Sequence, residues 1–406
     1  MNIEQLEYGI VQYGTPMYAF DIDQVLQRVR WFQELLGHEV SLCFAMKANP
    51  FLAKYLAEAV DRVEVCSMGE FRICRNKEIT PEKILVSGVR KKKEDIYEIL
   101  DTFGERCSFS VESLKQFQNI ADWCSTNKTS IDIYLRLTSG NQFGMDLQTI
   151  KNIIDMRRVC TYLHIKGIHY FSGTQKKSVQ VIRRELRYLD DVFLELKEEL
   201  GFCVEELEYG PGLAAVYFAG QEDTTEEQLK QLKDFLLHMR WKGKVTLEIG
   251  RALTADCGYY LTQVQDIKQN DGRNYCIVDG GIHQMNYDGQ VRGMYTPSIQ
   301  VSPRREAGVK KEWMVCGSLC TANDVLAQKA EFVDLKVGNI LIFERTGAYS
   351  MTEGMALFLS HELPGIAVYS ETDGWKLLRK NQATFEWNMG GNTKDEYFDR
   401  YFNGNR

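Results

Sequence analysis

The stretch SLCFAMKANPFLAKYLAEAVDRVEVCS, residues 41–67, holds two strand-like runs with a helical pattern between them. The runs SLCFAM (41–46) and VEVCS (63–67) are short and mostly apolar, as buried strands are. The segment FLAKYLAEAV (51–60) repeats its apolar residues every three or four positions, as a helix that covers one face requires. Strands joined through a helix favour parallel pairing, because parallel neighbours need a long crossover. The stretch therefore predicts one strand–helix–strand unit of a parallel sheet.

The same alternation continues toward residue 249, with helical patterns such as VIRRELRYLDDVFLELKEEL (181–200) between further strand-like runs. These runs are KILVS (83–87), CSFSV (107–111), IDIYLRL (131–137), IKGIHYF (165–171), ELEY (206–209) and VTLEI (245–249). Eight such units predict a closed (β/α)8 barrel of the TIM type. An open, doubly wound sheet is the structural alternative.

Beyond residue 255 the helical periodicity fades, and strand-like runs separated by glycines and short polar breaks take over. The runs are YYLTQVQDI (259–267), RNYCIVDGG (273–281), EWMVCGS (312–318), NILIFER (339–345), GIAVYS (365–370) and GWKLLR (374–379). They predict an antiparallel β domain, which the first 25 residues join as an extended arm. We therefore expect two domains: a barrel over residues 26–255, and a β domain formed by residues 1–25 and 256–406.

Charge and cysteine content exclude several classes of partner and site. The formal net charge is −7 with both signs interspersed, which argues against nucleic acid or a membrane surface as a partner. The basic cluster Arg90–Lys93 is followed by Glu94 and Asp95, and we expect it to begin a helix on a solvated face. No stretch approaches the roughly 18 apolar residues of a membrane helix, and the N-terminus lacks the apolar core of a secretion signal. The eleven cysteines form neither metal-type CxxC pairs nor a disulfide framework, which favours the reducing cytosol and no metal site.

Reactive residues of a parallel barrel gather at the carboxyl ends of its strands, and Lys47 directly follows the first predicted strand. The residues after it, Ala48-Asn49-Pro50, should turn the chain. A lysine partly removed from water at such a position is suited to form a Schiff base with a carbonyl group. The alternative is a lysine whose ammonium group simply reaches solvent from the end of a strand.

Two loops near the ends of later strands are rich in small residues: Ser172-Gly173-Thr174 and Gly210-Pro211-Gly212. Their backbone amides and a hydroxyl group could bind a phosphate, as late barrel loops often do. Glycine turns are common, so these loops alone do not identify a ligand.

Together these residues resemble the fold-type III family of pyridoxal-phosphate enzymes, which has an alanine-racemase-like fold and includes the diaminopimelate and ornithine decarboxylases. The resemblance runs nearly end to end and implies an amino-acid decarboxylase that uses pyridoxal 5'-phosphate. Its markers are YGTPMYAFD (13–21), FAMKANP (44–50), VEVCSMGE (63–70), GIHYFSGTQ (167–175), YGPGL (209–213), EIGR (248–251), CGSLCTANDVLA (316–327) and GAYS (347–350).

The resemblance assigns roles to individual residues. Lys47 matches the lysine that binds the cofactor's aldehyde, and Glu248 matches the acid that pairs with the pyridine nitrogen. A carboxylate there keeps the nitrogen protonated, and a protonated ring is the electron sink that decarboxylation needs. Cys320 matches a cysteine that the neighbouring subunit contributes as a proton donor, which implies a homodimer with shared sites. The other matched positions are Glu64 and Arg136 near the ring, Thr174, Gly210, Gly212, Arg251 and Tyr349 around the phosphate, and Arg292 and Tyr295 in the substrate-contacting region.

Two positions depart from the family's usual pattern. Phe171 stands where the family commonly stacks a histidine on the cofactor ring, and its aromatic face can stack but offers no proton. Thr321 follows Cys320 where an acidic residue usually recognises the far amino group of a diamino substrate, and a hydroxyl cannot neutralise an ammonium. With NQFGMD (141–146) and GTQ (173–175), this resembles the branch that decarboxylates glutamyl groups on an acyl carrier protein in natural-product pathways.

Other functions remain as alternatives. Diaminopimelate, lysine or ornithine decarboxylase is the alternative within the family, although the missing acid at Thr321 counts against it. A non-catalytic regulator of a decarboxylase would lack Lys47 or Cys320, and a single-barrel cofactor carrier would lack the β domain. Racemases of this fold place an arginine near the pyridine nitrogen, so Glu248 favours decarboxylation.

Overall fold

The computed structural model describes residues 1–305 and 307–389, so residues 306 and 390–406 of the predicted β domain lie outside the described residues. The chain forms two compact units. The barrel unit contains residues 24–216 and 222–254. The sheet unit contains residues 1–23 and 217–221 and the described residues from 255 onward.

Strands and helices alternate through the barrel unit, and strands dominate the sheet unit. The strands are β1 (Met17–Asp21), β2 (Val40–Ala45), β3 (Arg62–Val65), β4 (Ile84–Val86), β5 (Ser108–Val111), β6 (Ile131–Leu137), β7 (Leu163–Phe171), β8 (Glu206–Gly210), β9 (Lys244–Ile249), β10 (Gly258–Asn270), β11 (Arg273–Val278), β12 (Ile299–Ser302), β13 (Lys310–Cys316), β14 (Val325–Val333), β15 (Ile340–Glu344), β16 (Gly365–Ser370) and β17 (Gly374–Arg379). The helices are α1 (Ile3–Tyr13), α2 (Ile22–Leu36), α3 (Ala53–Ala59), α4 (Met68–Asn76), α5 (Lys93–Phe103), α6 (Leu114–Asn127), α7 (Leu147–Met156), α8 (Val179–Leu200), α9 (Thr225–Leu237), α10 (Arg251–Thr254) and α11 (Phe385–Met389).

Strands β2 to β9 form a closed parallel barrel in the order in which they follow one another along the chain. Strand β9 pairs with β2, with Glu248 opposite Cys43, and this pairing closes the barrel. The predicted closed barrel is therefore confirmed, and the open sheet is excluded. The carboxyl ends of all barrel strands lie on one side, because the strands are parallel.

A polar cluster joins three barrel strands where bulky apolar residues are usual. Arg62 donates hydrogen bonds to Glu206 Oε1 at 3.1 Å and to Glu208, and to the Tyr134 hydroxyl at 3.0 Å. Both glutamates are buried. Burial raises the pKa of Glu208 to about 7, although the Arg62 guanidinium acts in the opposite direction. Glu208 lies opposite His169 in the pairing of β7 with β8, so this cluster adjoins His169.

The sheet unit is built on a mixed sheet, which refines the predicted antiparallel arrangement. Most strand pairs are antiparallel, as expected, but β1 pairs with β16 in parallel, as β11 does with β13. Strand β1 lies between β10 and β16, which joins the N-terminal segment to this sheet.

The first residues form a helix rather than the extended arm that we expected. Helix α1 starts with a capping box, in which the Asn2 side chain accepts from the Gln5 amide and the Gln5 side chain accepts from the Asn2 amide. Leu6 is buried against the sheet, and Ile10 packs against the same apolar cluster. In the part of the chain that the structure describes, no helix is long and apolar enough to cross a membrane.

Candidate active site

Lys47 lies immediately beyond β2, in a short helical turn over Met46–Ala48. Asn49 is buried and its side chain accepts a hydrogen bond from the Phe51 amide at 3.1 Å, which turns the chain away from the barrel. The Lys47 ammonium donates to Glu64 Oε2 at 2.7 Å and to Glu248 Oε1 at 3.1 Å. This arrangement follows from the topology, because β2 lies between β3 and β9, which carry the two glutamates.

Glu248 is held in its ionised form by the groups around it. Its second oxygen, Oε2, lies 3.0 Å from Nε2 of His169, and the Ser110 hydroxyl lies 2.7 Å from Nδ1 of the same ring. Because a carboxylate only accepts hydrogen bonds, Nε2 of His169 must carry the proton. Burial by itself raises the pKa of Glu248, but Lys47 and His169 outweigh it and hold that pKa well below its usual range. The site therefore contains a buried carboxylate that stays negative at neutral pH.

Arg136 approaches the same edge of the barrel from β6, and its orientation is set by a buried ion pair. Its guanidinium donates to Glu112 Oε1 at 3.0 Å, and Glu112 Oε2 accepts from the Gly144 amide at 3.3 Å. The Phe143 ring centroid lies 4.9 Å from the Arg136 guanidinium. The neighbouring loop, which contains Gly144, thus covers Arg136.

Lys91 corrects the expectation that the whole cluster Arg90–Lys93 is solvated. Its ammonium donates to the Gly88 carbonyl oxygen at 2.6 Å and to Gln116 Oε1 at 2.9 Å. The Glu112 amide donates to the same Gln116 oxygen at 2.9 Å. Burial lowers the pKa of Lys91 to about 8, although the nearby Glu112 carboxylate acts in the opposite direction. Lys91 therefore belongs to the hydrogen-bond network that runs through Gln116 and Glu112 to Arg136. Its amide and carbonyl partners take the place of water around the ammonium.

Phe171 and Cys66 also lie near the Lys47 ammonium. The Phe171 ring centroid lies 5.9 Å from Nζ, so an aromatic ring faces the lysine where the family commonly has histidine. The Cys66 sulfur lies 3.8 Å from Nζ. Burial, followed by repulsion from Glu64, raises the pKa of the Cys66 thiol well above its usual range. Cys66 is therefore present as a thiol, which packs beside the lysine without adding a third negative charge.

The two predicted phosphate loops touch each other. Gly212 has a positive φ of +65°, and a Cβ atom there would lie 2.0 Å from the Gly173 carbonyl oxygen, so only glycine fits. A Cβ atom on Gly210 would lie 2.6 Å from the Phe171 ring. Thr174 is exposed beside Gly173. Arg251 is buried at the start of α10, directly after β9. These residues offer backbone amides, a hydroxyl and a guanidinium near the ends of neighbouring strands.

The remaining predicted site residues belong to the sheet unit. Cys320 is exposed, and Thr321 Oγ1 accepts from the Asn323 amide at 3.3 Å. Buried Asp324 anchors their loop by accepting from the Leu319 amide at 2.7 Å and the Ile282 amide at 2.9 Å. Tyr349 is half-buried with a positive φ of +64°. Arg292 and Tyr295 lie in an exposed segment between β11 and β12.

Glu64, His169 and Glu248 could together hold a metal ion, because one ligand atom of each lies within 4.8 Å of the others. Both carboxylates, however, already bind the Lys47 ammonium, whose positive charge takes the place that a metal would occupy. The same arrangement suits a cofactor that binds an amine and carries a basic ring nitrogen, because lysine and carboxylate are both supplied.

Three comparisons relate this chain to known proteins. A sequence profile described as "Pyridoxal-dependent decarboxylase, pyridoxal binding domain" matches residues 22–255. The L-glutamyl-[BtrI acyl-carrier protein] decarboxylase of Niallia circulans is 26% identical over 94% of this chain and 95% of its own length. The diaminopimelate decarboxylase of Methanocaldococcus jannaschii is 26% identical over 84% of this chain and 83% of its own. A crystal structure of the latter enzyme in co-complex with L-lysine matches with a TM-score of 0.82, at 24% identity, over 93% of this chain and 92% of that chain.

Proposed function

We propose that this chain, which belongs to the pyridoxal-dependent decarboxylase family, is a carboxy-lyase that uses pyridoxal 5'-phosphate to remove CO2 from an amino acid or from an aminoacyl group on a carrier protein. One observation carries the proposal. The Lys47 ammonium lies between the buried carboxylates of Glu64 and Glu248 at the carboxyl ends of the barrel strands. An amine and an ionised acid are the two groups by which a protein attaches and activates this cofactor.

The residues of this chain fit distinct parts of the cofactor. When bound, pyridoxal phosphate supplies an aldehyde that combines with amines and a ring that withdraws electrons from the carbon losing CO2. Lys47 would hold the aldehyde, and the Glu248 carboxylate, to which Nε2 of His169 donates, would pair with the ring nitrogen and keep it protonated. His169 orients Glu248, and Phe171 offers a face for the ring. Arg251, Thr174 and the loops containing Gly210 and Gly212 would bind the phosphate.

Glutamyl groups on an acyl carrier protein are the substrate that the sequence favours. The relative from Niallia circulans is named for that substrate and matches almost the whole chain. Thr321 supports this choice, because its hydroxyl is uncharged and accepts a backbone hydrogen bond within its own loop. The second candidate is diaminopimelate, for which several relatives of similar identity are named. A cationic far end of that substrate would gain no ion pair from Thr321.

We also infer a cytoplasmic homodimer in which Cys320 of one protomer serves the site of its partner and donates a proton after CO2 has left. Two observations support this proposal. All eleven cysteines are free, as the reducing cytosol requires. Cys320 is exposed in a single chain, on a loop whose Leu319 amide donates to buried Asp324, so it is available to a second protomer.

The test is CO2 release from protein loaded with pyridoxal phosphate. The substrates are diaminopimelate, lysine, ornithine, free glutamate and glutamyl-loaded carrier protein, and Lys47→Ala is the inactive control. Turnover that Lys47→Ala reduces by at least about a thousandfold, or ~4 kcal/mol of barrier, supports the proposal. Turnover of the carrier-bound substrate alone assigns the glutamyl branch, whereas turnover of diaminopimelate assigns the second candidate. A loaded protein that releases no CO2 from any of them refutes the assignment to decarboxylation of these substrates.

A further inference from the structure

A buried polar cluster lies directly behind the two glycine loops. It consists of Ser172, Lys176, Glu185 and Tyr209, which we call the Glu185 cluster. The Tyr209 hydroxyl and the Lys176 ammonium donate to Glu185 Oε2 at 2.6 Å and 2.8 Å, and the Ser172 hydroxyl donates to Oε1. Glu185 is buried on α8 and Tyr209 is fully buried in β8. Both carboxylate oxygens are thus occupied by groups from outside the helix.

The partners of Glu185 are the residues that flank the glycine loops. Ser172 precedes Gly173-Thr174, and Lys176 follows them two residues later. Tyr209 immediately precedes Gly210. A single carboxylate therefore joins the segment after β7 to the end of β8, and it does so from a helix that packs outside the barrel.

Hydrogen bonds also join the two loops to each other. The Lys176 amide donates to the Gly212 carbonyl oxygen at 2.9 Å, and the Ala215 amide donates to Gln175 Oε1 at 2.7 Å. Gly212 and Gly173 approach so closely that a Cβ atom on Gly212 would collide with the Gly173 carbonyl oxygen. Loops that contact each other this tightly bind an anion well only when their relative position is maintained.

The cluster contains a buried ion pair, formed by Lys176 and Glu185. A buried ammonium and a buried carboxylate are stable together but costly apart, because each loses its hydration. Burial lowers the pKa of Lys176, and the hydrogen bond to Glu185 opposes that shift. Loss of the Glu185 charge would leave Lys176 without its partner at 8% side-chain exposure, and the segment containing Gly173 and Thr174 would move to hydrate it.

We infer that Glu185 is a positioning residue for the cofactor's phosphate group: it acts through Ser172, Lys176 and Tyr209 to keep the two glycine loops in their phosphate-binding arrangement. The inference rests on the proposed function, because it assumes that these loops bind pyridoxal phosphate. It predicts that Glu185 affects the affinity for the phosphate group, and affects the rest of the cofactor little.

The same helix offers a matched control. Asp190 is also a buried acid on α8, and it accepts hydrogen bonds from Arg240 Nε at 2.9 Å and from the Trp241 amide at 2.8 Å. Its partners lie before β9, and their hydrogen bonds go to Asp190, Asp191 and Val204 rather than to the glycine loops. Asp190→Asn and Glu185→Gln therefore remove the same kind of charge from the same helix at different places.

The experiment measures the dissociation constants of pyridoxal phosphate and of pyridoxal, which lacks the phosphate, by titrating cofactor-free protein. For Glu185→Gln we expect the constant for pyridoxal phosphate to rise at least about tenfold, equivalent to ~1.4 kcal/mol, with the constant for pyridoxal unchanged within about twofold. For Asp190→Asn we expect both constants to stay within about twofold of the wild-type values.

Circular dichroism first establishes that each variant is folded. A folded Glu185→Gln with an unchanged constant for pyridoxal phosphate, or with equal losses for both ligands, overturns the inference. If Glu185→Gln does not fold, Ser172→Ala replaces it, since that change removes one hydrogen bond and leaves the ion pair intact. A selective weakening of the phosphate-bearing ligand in Ser172→Ala then supports the inference, and no weakening overturns it. Failure of the proposed function looks different, because the wild-type protein itself would bind pyridoxal phosphate no better than pyridoxal.

Discussion

At the scale of single residues, Glu248 accepts hydrogen bonds from Lys47 and His169 that stabilise its carboxylate. Its replacement tests whether this carboxylate activates the ring of the cofactor. Glu248→Gln keeps the size of the side chain and a hydrogen-bond acceptor for Lys47, but it cannot hold a proton on a ring nitrogen. We expect kcat to fall by about 10²–10³-fold, with the affinity for pyridoxal phosphate little changed. Steady-state kinetics and cofactor titration measure the two effects. Glu64→Gln is the control, because it weakens the same lysine contact and leaves Glu248 charged. Equal losses in the two variants would contradict this role.

Lys91 makes a second prediction at this scale, because its folded-state pKa of about 8 lies below the ordinary value of 10.5. Between these two values the unfolded chain binds more protons than the folded chain, so the contribution of Lys91 to stability rises with pH. Below about pH 8 both forms are protonated, and the buried charge destabilises the fold by a constant amount. We therefore expect the unfolding free energy of the wild-type protein to rise relative to that of Lys91→Met, by up to about 1 kcal/mol per pH unit between pH 8 and pH 10.

Urea unfolding at several pH values measures this difference. Lys93→Met, which removes an exposed lysine from the same cluster, should show a difference from the wild type that does not depend on pH. A difference for Lys91→Met that also stays constant would show that its ammonium is hydrated in solution.

Some site residues could be predicted from the sequence and others could not, for physical reasons. The carboxyl ends of barrel strands meet, so Lys47, Glu64 and Glu248 could be placed in one site although 201 residues separate Lys47 from Glu248. His169 could be placed at the same edge, since it lies near the end of a predicted barrel strand, but its role depends on a contact with Glu248 that spacing does not reveal. The partners of Lys91 could not be predicted from the sequence, because a run of basic residues before two acids ordinarily marks a solvated helix start.

At the scale of elements, Arg62 ties β3 to β6 and β8 inside the barrel. Replacing it with methionine fills the space but leaves two buried glutamates without their cation. We expect Arg62→Met to lose about 3–5 kcal/mol of unfolding free energy at pH 8. The loss should be smaller at pH 5, because Glu208, whose pKa is already raised to about 7, is then protonated and needs no cation.

Thermal and urea unfolding at the two pH values give the comparison. Arg72→Met is the control, since Arg72 forms an exposed ion pair with Glu98 and its removal should cost at most about 1 kcal/mol at either pH. A loss for Arg62→Met that is the same at pH 5 and pH 8 would mean that packing, rather than charge, explains the effect.

The elements of the barrel were predictable because each strand is short, apolar and followed by a helix with a clear period. Every predicted barrel strand lies within two residues of its observed bounds, for example 165–171 against Leu163–Phe171. In the sheet unit, Ile299–Ser302 and Val325–Val333 were missed, since the first alternates apolar and polar residues over only four positions and polar residues interrupt the second. The helix at Ile3–Tyr13 did leave a signal, because Asn2 and Gln5 have the spacing of a capping box.

At the scale of the whole molecule, the residues proposed for one reaction are divided between the two units. Lys47, Glu64 and Glu248 belong to the barrel unit, whereas Cys320 and Tyr349 belong to the sheet unit. The proposed homodimer pairs Lys47 of one protomer with Cys320 of its partner. A closed two-fold dimer then contains two identical sites, and each site needs an intact Lys47 from one chain and an intact Cys320 from the other.

This arrangement predicts complementation between two inactive variants. Lys47→Ala and Cys320→Ala should each lose most of their activity as pure dimers. When they are mixed and allowed to exchange subunits, half of the dimers are mixed, and one of the two sites in each mixed dimer has both intact residues. We therefore expect recovery toward about a quarter of the wild-type activity per site, provided that exchange is random.

A matched mixture of Lys47→Ala with Glu248→Gln should recover nothing through this route, because both changes lie in the barrel unit and both sites of a mixed dimer remain damaged. Analytical ultracentrifugation establishes that dimers form and exchange. If dimers exchange freely and the first mixture stays inactive, Cys320 does not act across the interface.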